Sequence, residues 1–209
     1  MPRPRYEKLS PERRHAIMEA AAKELGANGY EGSSLNRILE QANLSKGAAY
    51  YYFDGKEDLI ATMFNYLWDR MIIHTELKVE AMTAENFWEK LQSFVTHFVA
   101  STKDEPWLMA AAKAIWGLPH EIRSSQGPLG QAFTEMGSWM TGFLRRGQEL
   151  GVIRNDLPTD LLLAMVLGMD EATDRWVYEH FDDLGEAEMA RLYGVVFAMW
   201  RRLLSPEAP

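Results

Sequence analysis

The chain predicts an all-α fold of about nine helices, a three-helix N-terminal unit containing a helix-turn-helix followed by a larger helical bundle. Three observations carry this. Apolar residues recur at 3-4 spacing along nearly all of the 209 residues, no run alternates with the period of two that strands need, and two short helical patterns broken by a tight turn occupy residues 33–53.

The first helix opens at Ser10-Pro11-Glu12, which supplies a capping hydroxyl, a proline at the first helical position and an acid near the positive dipole end. Ile17, Ala21 and Leu25 form its buried stripe, and Gly26 or Gly29 is expected to end it. Ser33 or Ser34 then caps a short helix through Leu35, Ile38, Leu39 and Ala42. Asn43 stands where a left-handed residue is needed, because asparagine tolerates that conformation. Leu44 is expected to pack back under the turn while Ser45 caps a second helix over 46–53. A fourth helix begins at Gly55-Lys56, carries Glu57 and Asp58 in its first turn and runs to about Thr75. Its apolar positions are too many for one face, so it is expected to link two bodies, domain 1–54 and domain 55–209. Further helices are expected over 84–101, from 104 through 116, from 127 or 128 to 150, over 158–180 and over 186–204, with a loop or broken helix across 117–130.

Lys46, Gly47, Ala48 and Tyr50 fall on the first turns of the second short helix, the end that enters a groove. Lysine can donate to guanine O6 and N7, the alanine methyl can touch a thymine methyl, and glycine lets backbone approach closely. Three consecutive tyrosines cannot all face inward on one helix. Phe53, by contrast, reads as core.

The segment SKGAAYYYFDGKEDLI, preceded by GYEGSSLNRILEQANL, resembles the signature of the tetracycline-repressor (TetR) family of bacterial regulators, over residues 10 to about 60. Asn43, Ala49 and Gly55 depart from the family's usual glycine, larger apolar residue and Ser or Asp cap. The resemblance implies a homodimeric, ligand-responsive DNA-binding regulator, most often a repressor, acting on a palindromic operator. It also implies that Ser34, Tyr51, Tyr52 and Lys56 grip phosphates, which fix register without reading bases. Ser45 joins the DNA-facing set as the cap of the second helix.

Composition fits this expectation. Net charge is −8 overall, yet residues 1–56 carry nine Lys+Arg against seven Asp+Glu, a net of +2, so the positive charge sits where DNA contact is expected. With no cysteine, disulfides and thiolate chemistry are excluded. The five histidines lack metal-ligand spacing, and no nucleophile elbow, phosphate-cradling loop or dinucleotide fingerprint is present. No cofactor or metal is therefore expected. The longest apolar run, 161–169, is too short to cross a bilayer, and the N-terminus has no secretory apolar core, so a cytoplasmic location without membrane contact is expected. A rival of another class, an all-α enzyme or carrier with an N-terminal interaction module, draws only on Asp170-Glu171 and His120-Glu121.

The second half is rich in Trp, Phe and Met. Core packing accounts for most of these, but methionine and aromatic walls adapt to apolar guests. The resemblance implies that some line an effector pocket: Trp68, Met71, Phe98, Trp107, Ala112, Trp116, Phe133, Met136, Met140 and Met169, with Asp170 at a ligand's polar end. It likewise implies dimerisation through the last two helices, whose apolar stripes are Leu162, Met165, Met169 and Trp176 on one and Met189, Leu192, Val196, Phe197 and Trp200 on the other.

Overall fold

A computed structural model describes residues 2–45, 49–73, 78–105, 107–180 and 183–206. Among the described residues there is no strand, and the helices are α1 (Pro11–Gly32), α2 (Leu35–Gln41), α3 (Ala49–Tyr52), α4 (Lys56–Ile73), α5 (Phe87–Asp104), α6 (Trp107–Trp116), α7 (His120–Arg123), α8 (Pro128–Glu149), α9 (Thr159–Glu179) and α10 (Glu186–Leu204). A 3-10 turn, Val79–Ala81, precedes α5. The all-α expectation holds, and the stretch 117–130 contains one short helix, α7, and the first turn of α8, with irregular chain between them. No described helix is long and apolar enough to cross a membrane.

The chain forms two compact units, Met1–Arg70 with Glu105–Glu135, and Met71–Asp104 with Met136–Pro209. In the first, α6 lies along α1, with Ala110 close to Gly26. α1 breaks at Gly29, one of the two expected stops, where φ 65° and ψ −179° leave the helical region, and a further turn continues to Gly32. Ile17, Met18, Ala21 and Leu25 of α1, Ile38 and Leu39 of α2, Phe53, and Leu59, Ile60 and Met63 of α4 are all buried. Near the start of α4, the Glu57 carboxylate accepts from the Ser125 hydroxyl and from the Leu129 N–H at the head of α8, both at 3.4 Å. Gly127 and Gly130 permit this approach, because a Cβ would stand 2.1 Å from Glu57 Oε1 and 1.8 Å from the Ser125 carbonyl.

The second unit is built on Met82, Phe87, Phe143, Leu144, Ile153, Leu162, Val166 and Leu204. Phe87 and Phe143 lie with ring centroids 4.6 Å apart. Gly147 leaves room for that packing, since a Cβ would sit 2.6 Å from Ile153 and 2.8 Å from the Phe87 ring. Gly151, at φ 70°, supplies the left-handed residue that closes α8.

The stripes expected on the last two helices are divided by the fold. Leu162, Met189, Val196 and Phe197 are buried within the subunit, and Trp200 packs against its core. Met165 and Trp176 of the expected α9 stripe do face outward, together with Leu161 on α9 and Val195 and Met199 on α10, each 41–49% exposed. One position along a helix turns a side chain by about 100°, so adjacent residues can face core and solvent.

Candidate nucleic-acid interface

The turn between α2 and α3 is specified by backbone hydrogen bonds. Leu44 N–H donates to Leu39 O at 2.8 Å and Asn43 N–H to Glu40 O at 3.0 Å, the paired bonds of a Schellman motif. Asn43 occupies the left-handed position at φ 56°, as the sequence predicts. Leu44 is half-buried beneath.

α2 is held to α1 by a side chain with no local sequence signal. Glu24 is only 3% exposed and receives the Ser34 N–H at 3.1 Å, Arg37 Nε at 2.8 Å and Gln41 Nε2 at 3.3 Å. Arg37 Nη2 closes an ion pair with it at 2.6 Å. Burial by itself would push the Glu24 carboxyl up, but the bonds from Arg37 and Ser34 outweigh it and hold the pKa below the ordinary carboxylate range.

α3 then presents its aromatic face. Tyr50 is 65% exposed and Tyr51 46%, both unusual for large rings and both directed away from the core. Tyr52 is half-buried, edge-on to Tyr51 at 5.1 Å, and Phe53 is fully buried beside Tyr6 at 5.2 Å. The three tyrosines thus divide as helical geometry requires. Ser45 is exposed at the approach to α3; Lys46, Gly47 and Ala48 lie outside the described residues.

Two predicted phosphate contacts have other partners. Ser34 occupies the cap position of α2, but its side chain makes no cap bond; its N–H is the group used, on Glu24. Lys56 points at the end of α1, where its ammonium donates to the carbonyls of Tyr30, Ser33 and Glu31 and stands 4.4 Å over the Tyr30 ring. It caps the orphan carbonyls of a helix C-terminus.

The residues predicted to line an effector pocket are distributed over both units. In the first, Trp107 is buried edge-on to His15 at 5.3 Å, and its indole N–H donates to Glu105 at 2.8 Å; Glu105 also pairs with Arg70. Ala112 is packed, Trp68 and Trp116 are half-buried, and Phe133 lies 4.8 Å from Phe64. In the second unit, Met140 packs on the core, and Met136 and Met169 are half-buried. Asp170 lies near Asp174, and burial together with the Asp174 charge pushes its carboxyl well above the ordinary range. Asp174 accepts from the Tyr193 hydroxyl at 3.0 Å. The side chains of Met71 and Phe98 lie outside the described residues. An open hollow of about 480 Å³ on α9 is lined by Gly168, Glu171, Ala172, Arg175, Trp176 and Glu179, none of them in the predicted set. No group of three His, Asp or Glu among the described residues could hold a metal.

A Schellman turn between two short helices, the second presenting exposed tyrosines, is the geometry of a DNA-binding helix-turn-helix, and the proteins this chain is similar to are transcriptional regulators. Residues 17–63 match the family described as bacterial regulatory proteins, tetR family. Over those residues the chain is similar to that family's regulators. The Fatty acid metabolism regulator protein of Bacillus subtilis is 27% identical over 164 residues, covering 77% of this chain and 81% of that protein. Among solved structures, FadR from Bacillus subtilis in complex with stearoyl-CoA superposes with a TM-score of 0.70 at 21% identity, covering 90% of this chain and 97% of that one. FadR from Bacillus halodurans gives 0.72 at 18% identity, covering 92% and 96%. These two likenesses establish a shared fold.

Proposed function

We propose that the chain acts as a homodimeric repressor, released from a palindromic operator by an amphipathic effector of the acyl-thioester class. Residues 1–54 serve as the DNA-binding domain and 55–209 as the domain for effector and partner. The observation that carries the DNA half is the exposure of Tyr50 and Tyr51 directly after the Asn43 turn. With Ser45, Lys46, Gly47 and Ala48, these rings form the surface offered to a major groove, Ser34 and Tyr52 meet the flanking phosphates, and Lys56 braces the surface from the α1 carbonyls.

The dimer is supported by where the other exposed apolar groups fall. Leu161, Met165, Trp176, Val195 and Met199 all lie on α9 and α10, and such a surface suits association with a second copy. The acyl-thioester class is supported by two likenesses, a Bacillus subtilis relative whose name gives it a role in fatty acid metabolism and the Bacillus subtilis FadR structure, which holds stearoyl-CoA. Within the second unit, the apolar side chains at Met136, Met140 and Met169 are of a kind suited to an acyl chain.

An effector acts only through its differential affinity for two conformations; converting a mostly bound regulator to a mostly free one takes several kcal/mol. The test is a duplex selected by the protein from a random pool, titrated with protein and then challenged with stearoyl-CoA, stearate and free CoA. Release by stearoyl-CoA alone supports the class. Equal stearoyl-CoA affinity with and without DNA refutes the switch, because linkage makes the coupling reciprocal. Tyr50→Ala should erase the preference for the selected duplex, costing about 1–3 kcal/mol per base contact.

A further inference from the structure

We infer that residues 2–9 form a second DNA-contacting element, in which Arg5, seated on the Tyr51 ring, grips a backbone phosphate of the duplex that α3 reads. The inference rests on α3 being the reading helix, and adds to it an arm with a separate chemical role.

The arm is built onto α3. Tyr6 is 3% exposed and packs against Phe53, which directly follows α3. Arg3 N–H donates to the Tyr52 carbonyl at 2.9 Å, using an acceptor left over at the end of that helix. The Arg3 guanidinium donates from Nε and Nη2 to Asp54 Oδ1 at 2.8 and 2.6 Å. Two turns, Tyr6 N–H to Arg3 O at 2.8 Å and Leu9 N–H to Tyr6 O at 3.0 Å, fold the arm compactly. Arg5 therefore lies between two fixed points, Arg3 and Tyr6.

Its guanidinium carbon stands 4.0 Å from the centroid of the exposed Tyr51 ring. A guanidinium held over an aromatic ring is pre-oriented, so less side-chain freedom is lost when its N–H groups engage an anion. Phosphate oxygens suit this donor fork well. A duplex lying on Tyr50 and Tyr51 brings its backbone to this side of α3.

Charge placement supports the same conclusion. Residues 10–56 hold six Lys+Arg and six Asp+Glu, so the net +2 of the first 56 residues belongs to residues 1–9, where Arg3, Arg5 and Lys8 face Glu7. Beyond the arm, many described cations of this unit are engaged internally: Arg37 on Glu24, Lys23 on Glu19, Arg14 on Glu7 and Lys56 on the α1 carbonyls. Arg5 on the Tyr51 ring thus adds a cation for phosphate neutralisation near α3.

The test uses the full-length protein, the duplex it selects from a random pool and a scrambled duplex of equal length, each titrated across about 50–300 mM salt. Arg5→Ala should weaken binding to both duplexes by a similar, roughly tenfold factor and reduce the slope of log K against log salt by about 0.9 per subunit. Arg5→Lys should keep the slope. An unchanged slope overturns the inference, whether affinity is retained or is lost together with thermal stability. A loss confined to the selected duplex also overturns it, by placing Arg5 on base edges. If the wild-type protein selects no duplex, the reading of α3 fails instead.

Discussion

Glu24→Gln should loosen the helix-turn-helix from below. The buried carboxylate gathers donors from Ser34, Arg37 and Gln41, spanning both ends of α2. An amide keeps one accepting oxygen but loses the charge, and its NH₂ faces another donor, either Gln41 or Arg37. Hydrogen bonds to a charged group contribute about 1.5–3 kcal/mol, and Arg37 has half its side chain in water, which returns part of that. A net cost of about 2 kcal/mol follows, equivalent to a fall in Tm of about 4–8 °C for a chain of this size. The effect depends on pH in a defined direction. The folded state holds the Glu24 pKa below its unfolded value, so this stabilisation is present above the unfolded pKa and is lost as pH falls through the folded one. Thermal unfolding of both proteins from neutral pH to about pH 3 measures it, with operator affinity followed at neutral pH. The two curves should converge in acid, and the variant should bind operator more weakly because α2 no longer holds the turn before α3 in place. A Tm difference that is absent at neutral pH, or equally large in acid, would refute the reasoning.

Met165→Glu and Met199→Glu should yield folded monomers in sedimentation, because both side chains face outward in the subunit, whereas Phe197→Glu should unfold it by placing a carboxylate in the core. Lys56→Met should lower Tm by removing the cation that caps the α1 carbonyls, while leaving the salt slope of DNA binding unchanged. Asp170→Asn should stabilise the protein increasingly as pH rises above about 4, and not below it. The folded state raises the Asp170 pKa, so the wild-type protein loses stability through that interval, and denaturant titrations across pH test it.

Local chemistry carried much of this architecture. Asn43 had one economical use, a left-handed residue closing a short helix, and φ 56° is what the fold provides. Three tyrosines and a phenylalanine in succession had to divide between core and surface, since helical rotation separates neighbours by about 100°. Gly151 after a long amphipathic run marked the end of α8 in the same way. Partner choice was another matter. Lys56 belongs by sequence to a cationic signature, yet Tyr30, 26 residues earlier, supplies its first acceptor. Glu24 reads as one more surface acid on a helix until α2 folds across it, 13 residues away at Arg37. Nothing in the periodicity of α10 distinguishes Phe197, inside, from Met199, outside, because a broad apolar stripe leaves the helix's rotation undetermined. Spacing along a chain specifies which side chains share a face. Only the packing of one element on another decides what that face meets.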